Sequence, residues 1–193
     1  MKNLSLFLIT IIYISLMIIF WRTISADKEY VYGQRELKAG NFEGAIEQAN
    51  KSIEKNPDES RYYYGRAKVL LTMTVGLENA GRANLKKLAL NDLQTAQNLN
   101  PNNLVTLRNV VPLYYFLAIE DLEKPADGKN IDPEFIEATK DYFTMMHSYS
   151  PTDVGIYALL AKYEKRLGLN ELYEQSVGRI KILRPDLLEW YLK

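Results

Sequence analysis

Cysteine is absent from this 193-residue chain, and histidine occurs once, at His147. Without thiols there is no disulfide framework, no thiolate nucleophile and no cysteine-rich zinc site, and a single imidazole cannot anchor a metal without companions. Charge of one sign is lacking as well: Lys+Arg and Asp+Glu number 24 each. No basic field exists to hold a phosphate backbone and no acidic field to hold cations, so nucleic acid is not expected as a partner. Gly-x-Gly-x-x-Gly, the phosphate-loop Gly-Lys-Ser/Thr, Gly-x-Ser-x-Gly and His-Glu-x-x-His are all missing. The carboxylate pairs Asp58-Glu59 and Glu120-Asp121 fall at a helix start and in a connection, where solvated charge accounts for them. His147 follows Met145-Met146 at a helix end and reads as a partly exposed or terminus-stabilised side chain. The sequence therefore predicts no catalytic residue, no cofactor and no metal ligand, and hence a protein that is not an enzyme.

What is present begins with a long apolar run. From Leu4 to Trp21 only Ser5, Thr10 and Ser15 are polar, and no charge stands between Lys2 and Arg22. At 1.5 Å per residue, eighteen helical residues cover about 27 Å, close to a hydrocarbon core of about 30 Å, and Trp21 and Arg22 suit its interface. Residues 1–25 are expected to form a single-pass transmembrane anchor, with the membrane contacted by residues 4–21. The alternative is a cleaved signal peptide, for which Thr23 and Ser25 are the small residues. Signal peptides have apolar cores of about 7–15 residues, and the length of this run together with its Trp-Arg close favours the anchor. Lys2 and the amino terminus precede the segment, while the basic residues after Arg22 are interleaved with acidic ones. This predicts an amino terminus in the cytoplasm and the remainder outside, periplasmic in a bacterium.

Residues 26–193 repeat. Pro57, Pro101, Pro151 and Pro185 close the segments SIEKNP, AQNLNP, MMHSYSP and IKILRP at spacings of 44, 50 and 34. In the first unit Gly33 precedes a Gly40-Asn41-Phe42 turn and Ala45, and in the fourth Tyr157, Leu160, Ala161 and Glu164 precede Gly168. These landmarks resemble the tetratricopeptide repeat, a 34-residue helix pair with small residues where the helices cross, a Gly at the turn and a closing Pro. The fold expected is all-α, a helical-hairpin solenoid of about four repeats (26–58, 59–101, 102–151 and 152–185), preceded by the transmembrane helix and ended by a short capping helix, 186–193. The second and third units exceed 34 residues, and the excess falls between their two helices, at Val75 to Asn84 and Glu120 to Ile131. Insertions in a solenoid map to one edge, so these segments are expected side by side. Asp132 and Pro133 are expected to cap and start the second helix of the third unit, and Pro112 to kink the first.

The resemblance implies a scaffold that holds a protein or peptide partner in a concave groove lined by the first helix of each pair. The family's groove positions correspond to Gln34, Arg66, Asn109 and Lys162, with Tyr30 and Tyr62 four residues before the first two. Lysine is missing where the family's carboxylate-clamp members carry it, so that mode is not implied. An envelope assembly factor is the function expected; a holdase-like chaperone for unfolded or secreted chains, or an accessory regulator of a membrane enzyme, are the alternatives. The tail, with Leu187, Leu188, Trp190, Tyr191 and Leu192, is expected to cover the last pair or to support self-association.

Overall fold

A computed structural model describes residues 2–77, 79–124 and 128–187, which form eight α-helices and no strand. They are α1 (Lys2–Lys38), α2 (Phe42–Lys55), α3 (Ser60–Thr72), α4 (Asn79–Leu99), α5 (Leu104–Ala118), α6 (Ile136–Tyr149), α7 (Val154–Leu167) and α8 (Asn170–Leu183). A single 3-10 turn, Pro185–Leu187, follows. The tail from Leu188 to Lys193, where self-association was expected, lies outside the described residues.

Local chemistry sets most boundaries. Gly40 turns the chain after α1 at φ 77°, in the left-handed region that a Cβ disfavours. Asn41 then caps α2, its side-chain oxygen accepting the Gly44 N–H at 3.1 Å. Asn103 caps α5 through the Thr106 N–H at 3.1 Å, and Asp153 caps α7 through the Gly155 N–H at 2.9 Å. Gly168, at φ 69°, ends α7. Pro112 lies inside α5, which continues through it to Ala118.

The start of α6 corrects the sequence expectation. The helix begins at Ile136, not at Pro133, and its N-cap residue Phe135 offers no side-chain cap. Asp132 is occupied elsewhere: its N–H donates to the Ala118 carbonyl at 2.8 Å and its Oδ2 accepts from Lys86 at 2.7 Å. Its Oδ1 takes the Glu134 N–H at 3.1 Å, so residues 133–135 form a turn that buries Phe135 before the helix can start.

The helices pack as sequence neighbours, α1 on α2, α3 on α4, α5 on α6 and α7 on α8, and odd-numbered helices also meet in succession, α1 with α3, α3 with α5, α5 with α7. One apolar core runs through the middle, from Leu70, Leu71 and Leu93 through Leu107, Val111 and Leu117 to Phe143, Met146 and Leu160. Within it Tyr114 and Tyr142 stack with ring centres 4.0 Å apart, and burial pushes both phenols above their ordinary range. α5 contributes to it from several sides, and its nine buried residues leave it no strictly polar face.

α1 is different in kind. It runs unbroken for 37 residues, and its large apolar side chains from Leu6 to Trp21 are 44% to 70% exposed. It is the one described helix long and apolar enough to cross a membrane, with none of its apolar window buried in the protein. The expected boundary at residue 25 falls inside this helix. Packing begins just before it: Arg22 donates to the Glu54 carbonyl, and Lys55 reaches Ser25 at 2.9 Å and Glu29 at 2.5 Å. The end of α2 is thereby fixed beside the Trp21-Arg22 junction.

Candidate functional site

Three of the six expected groove residues come together where α1 meets α3. The rings of Tyr30 and Tyr62 lie 5.4 Å apart, and Gly65 gives them room, since a Cβ there would stand 2.5 Å from the Tyr30 ring and 3.4 Å from the Gln34 amide. Tyr62 is fully buried and donates its hydroxyl to Asp27 at 2.7 Å. Desolvation first, and the Asp27 carboxylate second, raise its pKa, and burial does the same to Tyr30. An expectation that Tyr62 presents its ring to a partner is therefore corrected: it is the packing contact between α1 and α3.

Arg66, one turn on, faces other neighbours. Its guanidinium makes a bidentate pair with Asp92 of α4 at 2.8 and 2.7 Å and donates to Asn50 of α2 at 2.9 Å. Asp92 is 1% exposed. The hydrogen bonds from Arg66 are what make this carboxylate tolerable in the interior, and the same bonds hold the guanidinium pKa up. Arg66 is thus tied to two partners within the protein, while its guanidinium also lines a cleft beside α3. Gly33 faces α2, where a Cβ would lie 3.2 Å from that of Gln48, whereas Gly65 faces Tyr30 of α1. Gln34 and Arg66, which follow these glycines, therefore have different surroundings.

Gln34 is half-buried, and Asn109 and Lys162 are exposed. Lys162 lies over the Tyr163 ring at 5.4 Å. Beside the Arg66–Asp92 pair a cleft of about 210 Å³ opens between α2, α3 and α4, with Ile46, Leu70 and Leu88 as apolar walls and Asn50 and Asn91 as polar ones. Leu88 is 55% exposed at its rim.

The two inserted segments meet. Arg82 donates to the Glu120 carbonyl at 2.6 Å and to the Leu77 carbonyl at 2.9 Å, bridging both connections. The second is closed by an antiparallel bridge between Ile119 and Ile131. Behind them Lys86, fully buried, donates to the Ile119 carbonyl at 2.5 Å and to Asp132 at 2.7 Å, with its ammonium 5.4 Å from the Phe135 ring. Burial lowers its pKa although Asp132 opposes the shift. Nothing in the sequence marks this lysine, because its partner is 46 residues away.

His147 lies in the last turn of α6, as expected, and is drawn inward by partners the sequence did not indicate. Its side chain is 11% exposed, with Nε2 at 2.7 Å from the fully buried Glu164 of α7 and 3.2 Å from Ser176 of α8. A serine, a histidine and a carboxylate converge, but both contacts fall on one nitrogen. A nucleophile relay needs the base on one ring nitrogen and the orienting acid on the other, so this cluster is a polar tie between three helices. No group of three or more His, Asp or Glu side chains able to hold a metal occurs among the described residues. Compared with known proteins, the chain matches no family model and no curated protein.

Proposed function

We propose that the protein is a membrane-anchored scaffold of the tetratricopeptide type, with α1 crossing the bilayer once and the other helices forming a partner-binding solenoid on the extracytoplasmic side. The observation that carries the reading is the packing order: helix pairs in sequence, successive odd helices in contact, and an open cleft left beside α3. Side chains on the described surface offer shape and hydrogen bonds to a partner. The cleft suits a short apolar side chain flanked by peptide groups, with Leu88 and Ile46 taking the first and Asn91 and Asn50 the second. In this reading the exposed Asn109 and Lys162 and the half-buried Gln34 contribute to partner contact, while Tyr30, Tyr62 and the Arg66–Asp92 pair hold the wall in shape. An envelope assembly factor is the cellular role this supports.

The test uses the full chain in mild detergent, purified from its own membranes with and without Leu88→Glu. One partner retained by the wild type and lost from the variant at unchanged melting temperature supports the cleft. Equal retention overturns it, and broad capture of many unfolded chains marks a holdase instead. A reporter active only outside the cytoplasm, fused after Lys193, is expected to be active; activity of a cytoplasmic reporter in its place reverses the orientation.

A further inference from the structure

The part of α1 that leaves the membrane has three of its sides occupied. Ala26 is buried, Gly33 lies against α2, Tyr30 and Gln34 lie against Gly65 of α3, and Asp27 serves Arg61 and Tyr62. The remaining side carries Ile24, Lys28, Val31 and Arg35, all exposed, with Ile24 at 51% and Val31 at 47%. These residues continue a stripe that starts in the apolar run. Ile14, Met17, Trp21, Ile24, Lys28, Val31 and Arg35 follow alternating steps of three and four residues, the 3.5-residue period of a seam that pairs with one other helix. Because α1 has no break between Lys2 and Lys38, the seam crosses from the apolar segment into the folded part as one continuous, slowly winding surface.

The seam's chemistry changes along it. It is apolar to Ile24, and then Lys28 and Arg35 stand seven residues apart around Val31. Both cations lie against the ring of Tyr32, at 5.8 and 5.7 Å, and among the described residues neither forms an ion pair. With Asp27 they frame a shallow depression in the helix surface. A second copy of this chain is a poor occupant: membrane insertion would set two copies parallel, and an in-register seam would oppose Lys28 to Lys28 and Arg35 to Arg35. Lipid is a poor occupant of the upper part, since Arg35 lies about 21 Å beyond Trp21 along the helix, well past a headgroup layer of about 5–8 Å.

We infer that this face of α1 is a docking seam for a single helix of another membrane protein, apolar within the bilayer and carrying carboxylates seven residues apart where it emerges beside Lys28 and Arg35. The inference rests on the reading of α1 as a membrane-crossing helix. The carboxylates would neutralise two cations the protein itself leaves unpaired, and Val31 and Ile24 supply the apolar contact between and below them.

The absence of cysteine makes the test direct. The full chain bearing Val31→Cys is placed in phosphatidylcholine vesicles with synthetic peptides, each a leucine-rich membrane helix extended by a short helix that carries one cysteine. Three peptides differ only in two residues seven apart: both Glu, both Gln or both Lys. Disulfide cross-linking is expected to favour the Glu peptide over the Gln peptide roughly three- to tenfold, as two partly exposed ion pairs would give, and to be weakest for Lys. Lys28→Glu with Arg35→Glu should reverse the order, and the milder Lys28→Gln with Arg35→Gln should abolish the preference at unchanged melting temperature. Equal capture of the three peptides by chain that floats with the vesicles overturns the seam alone, as does a predominant cross-link between two copies. Chain that fails to float overturns the membrane reading, and the seam with it.

Discussion

The first helix pair and the middle of the molecule are built from the same helix-on-helix contact, yet they place charge differently. Around the first pair the ion pairs lie at or near the surface: Lys51 with Glu47 within α2, Arg61 of α3 with Asp27 of α1, and the partly buried Lys55 of α2 with Glu29 of α1. Between α3 and α6 the charges are inside, with Asp92 at 1% exposure holding Arg66 and Lys86 at 0% spanning from α4 to the Ile119 carbonyl and Asp132. The difference follows connection length. A short turn such as Gly40-Asn41 is set by its own backbone chemistry, whereas the long connections after α3 and α5 have backbone groups that only a distant side chain can satisfy. Arg82 and Lys86 meet that need, each reaching a carbonyl at the end of α5. The lesson is that the insertions are tied down by Arg82 at the surface and by the buried Lys86, and are integral to the core.

This contrast can be broken in three ways. The largest effect is expected from alkaline pH. Tyr30, Tyr62, Tyr114 and Tyr142 all have folded pKa values raised above their ordinary 10, chiefly by burial. Above pH 10 the unfolded chain loses these protons while the folded one keeps them, so stability is full below that pH and is lost as pH rises past it. Lys86, with a lowered pKa, acts in the opposite sense just below 10.5, but it is one group against four. Cooperative unfolding above pH 10, followed by circular dichroism, is expected; a midpoint in urea that stays constant from pH 9 to 12 would contradict the burial of these phenols.

Next comes the buried pair itself. Asp92→Ala leaves the Arg66 guanidinium without its bidentate partner in a half-buried site, and removing one member of such a pair costs about 3–5 kcal/mol. Lys51→Ala, whose pair with Glu47 is exposed, is expected to leave the urea midpoint unchanged. Equal responses from the two variants would remove the distinction between middle and first pair. The smallest of the three concerns the short turns: Gly168→Ala forces a Cβ into the left-handed region at φ 69°, at about 1–2 kcal/mol, measured by the same unfolding curve.

Part of the architecture was legible in the sequence. The apolar run and the turns at Gly40 and Gly168 rest on interactions within four residues or so, and such interactions are written next to one another. The meeting of the inserted segments at Arg82 and Glu120 was legible too, because both lengthen the same kind of turn in adjacent pairs. Rotation of each helix about its own axis was not. In α3 and α5, apolar residues occur on several sides, so the stripe that identifies a packing face is too broad to number the groove positions.

What the sequence determined by itself is therefore the linear order of things: an apolar run of membrane length, helical segments in pairs after it, and several of their ends, all governed by period and turns; that the run and the first repeat helix are one continuous α1 was decided by the fold. The tertiary structure alone decided which polar side chains are spent inside. Arg66 is joined to Asp92 across 26 residues, His147 to Glu164 across 17 and Lys86 to Asp132 across 46. A charged side chain reads the same on paper whether solvent or a buried partner neutralises it, and only the packing of one helix on another brings a partner 17 to 46 residues away within 3 Å.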